Sequence, residues 1–254
     1  MLRLSIQPQR AMNATTIHAN PVNDLDTIRD EPRDETLEQA RFNMVEQQIR
    51  PWDVLDTRVL DLLFKVRREN FVPPTLRAMA FVDMEIPLRV GGVDTGETML
   101  SPKLEARLLQ ELALKSTDSV LEIGAGSGYQ AALMASQANQ VTTVEIDSRL
   151  AAFAQENLQR QGITNVRVET GDGRSGWGTT EYEAILVSGS VPEVPDGLKY
   201  QLRVGGRLLV IVGQAPVMTA WLITRTTAAS FDSISLFETV VKPLRGATVS
   251  KFRF

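Results

Sequence analysis

The sequence predicts an α/β fold: a doubly wound, mostly parallel, Rossmann-like sheet with an antiparallel C-terminal hairpin and an N-terminal helical cap. Three observations predict it. From Ser119 onward, apolar runs of strand length alternate with helix-length amphipathic stretches, the pattern of a parallel sheet covered by helices on both faces. A turn with glycines at 124, 126 and 128 joins the first of these strands to a helix. The last two β-rich segments are linked by only a short turn near Ala229, so they pair antiparallel.

The elements follow in order. Residues 1–34 mix Pro, Asn, Thr, Asp and Arg without periodicity and read as a flexible extension, with Arg3 and Arg10 giving only a weak echo of a targeting peptide. Helical patterns cover 36–49 and 56–66. In the second, Val59, Leu60, Leu63 and Phe64 form one apolar face and Asp56 is the expected N-cap. The stretch 73–96, rich in Pro and Gly, reads as irregular. A helix over 102–114 places Leu104, Leu108 and Leu112 four apart, with Pro102 at its start and Ser101 at a cap position. Strands are expected at 119–123, 140–146, 165–170, 183–188 and 206–212. Helices are expected at 129–138, 148–161 and near 196–202, and β-rich segments at 217–227 and 231–243. One domain over 35–254 results, with 35–115 a helical and loop cap and 116–254 the core.

Composition excludes several functions. The 254 residues are 43% hydrophobic and carry a net charge of −4, which supports a full core and argues against a general nucleic-acid binder. No apolar run approaches the about 18 residues of a membrane span. With no Cys there is neither a disulfide framework nor a thiolate nucleophile, which fits the cytoplasm. The single His, His18, lies in the extension, so His-based zinc sites, triads and general bases are not expected. Trp52, Trp177 and Trp221 read as packing anchors, and Arg67 and Arg68 as solvated surface.

The turn after the first core strand carries the chemistry. Glycines between a strand and a helix let a ligand lie against the main chain. A dinucleotide fingerprint would be G-x-G-x-x-G; here Tyr129 occupies its last position and the third glycine comes one residue early. Glu122, two residues before Gly124, would repel a pyrophosphate. It suits a ligand with an ammonium group and no phosphate, such as S-adenosylmethionine. Glu145 ends the next strand 21 residues after Gly124, close to the spacing at which an acidic residue holds ribose hydroxyls. Asp172, between Gly171 and Gly173 past the third strand, is placed to reach an adenine amino group. All three acids sit at strand carboxyl ends, where such sheets bind ligands.

Further motifs lie upstream and around this turn: Val66-Arg-Arg-Glu-Asn-Phe-Val-Pro73, Ala80-Phe-Val-Asp83 with Ile86-Pro87-Leu88, Gly96-Glu97-Thr98 with Pro102, and Gly126-Ser-Gly-Tyr-Gln-Ala131. Together they resemble the protein-L-isoaspartate O-methyltransferase family, strongly from about 66 to 213. The resemblance implies a seven-stranded class I methyltransferase sheet with a reversed final strand, and S-adenosylmethionine-dependent methylation of L-isoaspartyl carboxylates in damaged proteins. It implies that Glu122, Gly124, Gly126 and Gly128 line the methionine end, Glu145 holds the ribose, and Asp172 with Gly173 holds the adenine. Two departures fall on the substrate side. The family loop Gly-Gln-Thr-Ile-Ser-x-Pro is here Gly96-Glu-Thr-Met-Leu-Ser-Pro102. Leu100 therefore stands at the serine position, Ser101 lies one place later, and Glu97 could repel an anionic substrate. After the fourth core strand, Val187-Ser-Gly-Ser190 replaces Thr-Ala-Ala.

An acceptor carboxylate is already ionised at neutral pH, so methyl transfer to it needs no general base. Thr98 and Ser101 are the candidate catalytic hydroxyls, and Leu100, Ser188 and Ser190 the candidate substrate contacts. Loops 73–102 and 188–196 are expected to close over the cofactor. Three readings stand: an isoaspartyl repair methyltransferase acting on damaged protein, a methyltransferase of the same fold for a small carboxylate or other acceptor, and a non-catalytic S-adenosylmethionine-binding protein. No metal, nucleic-acid or membrane partner is expected.

Overall fold

The computed structural model describes residues 34–247. The extension and His18 lie outside the described residues, apart from Asp34, which opens a helix.

The cap begins with α1 (Asp34–Asn43), which passes into a wider π-type turn at Met44–Ile49. α2 (Thr57–Lys65) starts at Asp56, whose side chain accepts from the Arg58 N–H at 2.9 Å. It buries Val59, Leu60 and Leu63. The segment read as irregular contains a hairpin, β1 (Ile86–Val90) and β2 (Val93–Met99). Its turn is Gly91-Gly92, both at positive φ, as two-residue hairpin turns require. α3 (Pro102–Leu112) follows with Pro102 in its first turn and Leu104, Leu108, Leu109 and Leu112 buried.

Arg68 is the main correction in the cap. It is fully buried rather than solvated. Its Nε donates to the Ala80 carbonyl at 3.0 Å and Nη2 to the Leu100 carbonyl at 2.6 Å, while Nη1 pairs with the buried Glu105. A guanidinium in the interior persists because all three nitrogens find oxygen partners. This one side chain ties the cap, the 100–101 corner and α3 together. Arg67, by contrast, is exposed and pairs with Glu38. Trp52 packs edge-on against Phe237 with ring centroids 5.8 Å apart, in keeping with an anchoring role.

The core comprises β3 (Ser119–Ile123), α4 (Tyr129–Ala135), β4 (Gln140–Glu145), α5 (Ser148–Arg160), β5 (Val166–Thr170), β6 (Tyr182–Val191), α6 (Asp196–Tyr200), β7 (Leu202–Gln214), β8 (Val217–Arg225) and β9 (Phe231–Thr239). The seven-stranded sheet runs β5-β4-β3-β6-β7-β8-β9, parallel from β5 to β7. Both faces of the central strands are buried: Leu121, Ile123, Ile185 and Val187 face one cluster, Val120, Ala184 and Leu186 the other. This explains their continuous apolar character. β8 is antiparallel to both β7 and β9, so the reversed strand is the penultimate one and β9 runs with the parallel set. Two successive hairpins reverse the chain twice.

The chain moves outward from β3 to β5, then returns to lay β6 on the other side of β3. That reversal opens a crevice at the carboxyl ends of β3 and β6. After β9 the chain returns to this crevice. The Leu244 N–H donates to the Ser190 carbonyl at 2.9 Å, and the Ser190 N–H donates to that of Lys242 at 3.0 Å.

Candidate functional site

One cleft gathers the sequence-predicted acids. Its walls are Glu97–Leu100 from β2 and the corner after it, the turn 122–127, Gln130, Glu145, the 171–174 loop, Ser188, Gly189 and the segment 242–245. Glu122, Glu145 and Asp172 all reach it, each in a different environment.

Glu122 is fully buried at the end of β3. Oε2 accepts from the Thr143 hydroxyl at 2.6 Å and Oε1 from that of Ser188 at 2.7 Å. Burial pushes its carboxyl pKa up to about 7; the two hydroxyls oppose that shift and Glu145 adds to it. A cation arriving beside Glu122 would favour its ionised form. Glu145, at the end of β4, accepts from the Gly126 N–H at 3.0 Å and the Asp147 N–H at 3.1 Å. Burial raises its pKa against those bonds. Asp172 is half-exposed and held by Arg174, whose Nη2 lies 2.7 Å away; this bond keeps its carboxyl below the usual range.

The glycine turn is built for close approach, yet the N–H groups of its three glycines are spent internally. Gly124, Gly126 and Gly128 have φ of 99°, 51° and 82°. The Gly124 N–H goes to the Val144 carbonyl at 2.8 Å, Gly126 to Glu145, Gly128 to the Ala125 carbonyl at 2.8 Å, and Tyr129 to the Ser127 hydroxyl at 3.3 Å. A phosphate-binding turn aims such groups at its ligand. With two buried carboxylates beside it, this turn fits an adenosine compound that carries an ammonium group and no phosphate. Gly173 is needed for another reason: a Cβ there would lie 2.6 Å from Ile123 Cδ1, so the loop packs directly on the sheet.

The nominated hydroxyls divide. Thr98 lines the cleft, but its hydroxyl donates to Glu85 at 2.7 Å. Ser188 lines it and orients Glu122. Ser190 is fully buried and donates to the Val241 carbonyl at 3.2 Å, so it fastens the C-terminal segment instead of facing a substrate. Ser101 is absent from the cleft wall. It occupies the N-cap position of α3, where its carbonyl, not its hydroxyl, accepts from Leu104 and Glu105. Leu100 does line the wall and is 8% exposed. Residues 188 and 190 belong to β6 rather than to a closing loop.

Glu97 does not stand as a free negative charge. Lys242 lies 2.9 Å and Arg245 2.7 Å from its oxygens, and Arg245 also reaches Asp147 at 3.1 Å. Sequence reasoning missed this C-terminal pair, because nothing local in 242–245 points to a partner almost 150 positions earlier. It also missed Gln130 and Glu105. Gln130 could have been flagged by its place two residues after Gly128.

The family model for protein-L-isoaspartate(D-aspartate) O-methyltransferase matches residues 39–244. The chain belongs to this family. Among curated relatives, protein-L-isoaspartate O-methyltransferase 2 of Marinobacter nauticus is 38% identical over 212 residues, covering 83% of this chain and 94% of that protein. The protein-L-isoaspartate O-methyltransferase of Rhodopseudomonas palustris is 40% identical over 208 residues, covering 80% and 92%. A solved protein-L-isoaspartate O-methyltransferase superposes with a TM-score of 0.68 at 26% identity, over 83% of this chain and 66% of that one. A Plasmodium falciparum beta-aspartate methyltransferase in complex with S-adenosyl-L-homocysteine superposes at 0.67 with 20% identity, over 82% and 97%, which supports the fold. The match runs through the C-terminal segment to residue 244, beyond the stretch where the motifs alone carry the resemblance.

Proposed function

We propose that this chain is an S-adenosylmethionine-dependent carboxyl O-methyltransferase acting on L-isoaspartyl residues of damaged proteins. The observation that carries the reading is the pairing of Glu122 and Glu145 with a turn whose three glycine N–H groups are already satisfied. When bound, S-adenosylmethionine supplies an electrophilic methyl group that an ionised carboxylate takes up as a methyl ester, leaving S-adenosylhomocysteine. Glu122, held by Thr143 and Ser188, meets the ammonium end together with the backbone of Gly124, Gly126 and Gly128. Glu145 takes the ribose, and Asp172 with the Gly173 backbone takes the adenine. Thr98 and Leu100 border the acceptor. The protein's task is alignment in a dry cleft, since a carboxylate needs no deprotonation at neutral pH. The single domain spans 35–254 with 35–115 as its cap.

No described helix is long and apolar enough to cross a membrane, and the chain has no Cys; we place it in the cytoplasm. A second reading, a small carboxylate as acceptor, is favoured by one observation: the apolar Leu100 in the cleft wall. Labelled S-adenosylmethionine offered with an isoaspartyl peptide and its aspartyl twin separates the two. Base-labile label on the isoaspartyl peptide alone supports repair. Label on neither, with S-adenosylhomocysteine still bound, rejects it.

A further inference from the structure

Gln130, in the first turn of α4, is 4% exposed, and neither Nε2 nor Oε1 of its carboxamide has a hydrogen-bond partner. It lines the cleft, as do Leu100, Glu105 and Glu122. A buried amide with both ends idle destabilises the chain that carries it, so such a group points to a partner supplied from elsewhere. Of the described residues with buried unpartnered polar atoms, Gln130 alone lines the cleft and alone has two. The neighbouring polar groups are committed: Thr98 to Glu85, Ser188 and Thr143 to Glu122, Glu105 to Arg68.

We propose that Gln130 binds the amino-acid end of the cofactor, Nε2–H donating to its α-carboxylate and Oε1 accepting from its α-ammonium. This rests on the reading that the cleft takes S-adenosylmethionine. The match is one of kind. An amide with a donor and an acceptor both free needs a group that offers both, and an amino-acid zwitterion does. The carboxylate of an acceptor offers acceptors only, so a donor for Oε1 comes from the cofactor's ammonium or from the acceptor's peptide N–H, and titration without acceptor distinguishes the two. The adenosine end belongs to the carboxyl ends of β4 and β5, where Glu145 and, just past β5, Asp172 stand. Glu122, which lines the same cleft, supplies negative charge for the ammonium.

The test is calorimetric titration of the full chain with two probes: S-adenosylhomocysteine, and 5′-methylthioadenosine, which keeps the adenosine thioether but lacks the amino-acid end. Gln130→Leu should weaken S-adenosylhomocysteine about tenfold or more, leave methylthioadenosine within about twofold, and leave the ligand-free Tm unchanged or higher. Gln130→Glu keeps the size but repels the α-carboxylate, and should show the same selectivity. Unchanged S-adenosylhomocysteine affinity in either variant overturns the assignment. So does equal weakening of both probes, or a rise only in acceptor KM. A wild-type chain that binds neither probe overturns the cofactor reading itself, and this assignment with it.

Discussion

Arg245 Nε donates to Glu97 Oε1 at 2.7 Å across the mouth of the cleft, joining the C-terminal segment to the strand that carries Thr98. Leu244, one residue earlier, packs against Gly124 and Gly189. The segment 242–245 therefore forms part of the roof.

Arg245 is 40% exposed, so its ion pairs add little to global stability, about 0–1 kcal/mol. Their effect falls on the roof. Arg245→Ala should raise acceptor KM several-fold with a Tm change of at most about 3 °C. Raising NaCl from about 50 to 500 mM should reproduce much of the KM effect in the wild type and little in the variant. Steady-state kinetics at both salt concentrations checks this.

Cofactor affinity is expected to depend on pH through Glu122. Its pKa stands at about 7 in the folded chain against an ordinary 4.5. The folded state thus binds more protons between those values, and the carboxyl's contribution to stability, intact below about 4.5, is lost as pH rises through 7. The ammonium group of a ligand placed beside it favours the ionised form. S-adenosylhomocysteine should bind more tightly from pH 6 to 8, with proton release. Glu145, also raised, broadens the transition. Glu122→Gln should flatten that profile, and its ligand-free Tm should exceed the wild type's at pH 8 but not at pH 5. Calorimetry in buffers of different ionisation enthalpy reads the proton release.

Arg68→Met leaves the Glu105 carboxylate buried without its cation and the Leu100 carbonyl without its donor. Loss of about 3–5 kcal/mol in urea unfolding is expected. Adding Glu105→Leu should recover much of it, because the pair is then replaced by apolar groups.

How legible this was varied with range. The strand–glycine–helix unit from Val120 to Ala135 was readable because each step has a local cause: apolar strand, forced turn, helix. The acids at 122, 145 and 172 were readable because strand ends share one rim. The Gly91-Gly92 turn signal is present in the sequence, but the Pro and Gly around it mask the two strands that the turn joins. Charge alone places Arg68 at the surface, because it says nothing about the Glu105 and carbonyl oxygens that enclose the side chain. The roles of Ser101 and Ser190 depend on which way each hydroxyl points, and that is set by packing across the fold.

Gly128 tests the turn itself. It has φ of 82°, and an added Cβ would lie 3.2 Å from the Ala154 carbonyl oxygen on α5. Gly128→Ala should cost about 1–3 kcal/mol of stability and weaken S-adenosylhomocysteine binding, as α4 is pushed from α5. Denaturation and titration on one preparation check both.

The central claim is that this cleft selects an adenosine compound by its ammonium group and the lack of phosphate. Side-by-side titration of the wild type with S-adenosylhomocysteine, NAD and ATP tests it most directly. Saturable binding of S-adenosylhomocysteine alone is the predicted result; uptake of NAD or ATP with no response to S-adenosylhomocysteine would contradict it.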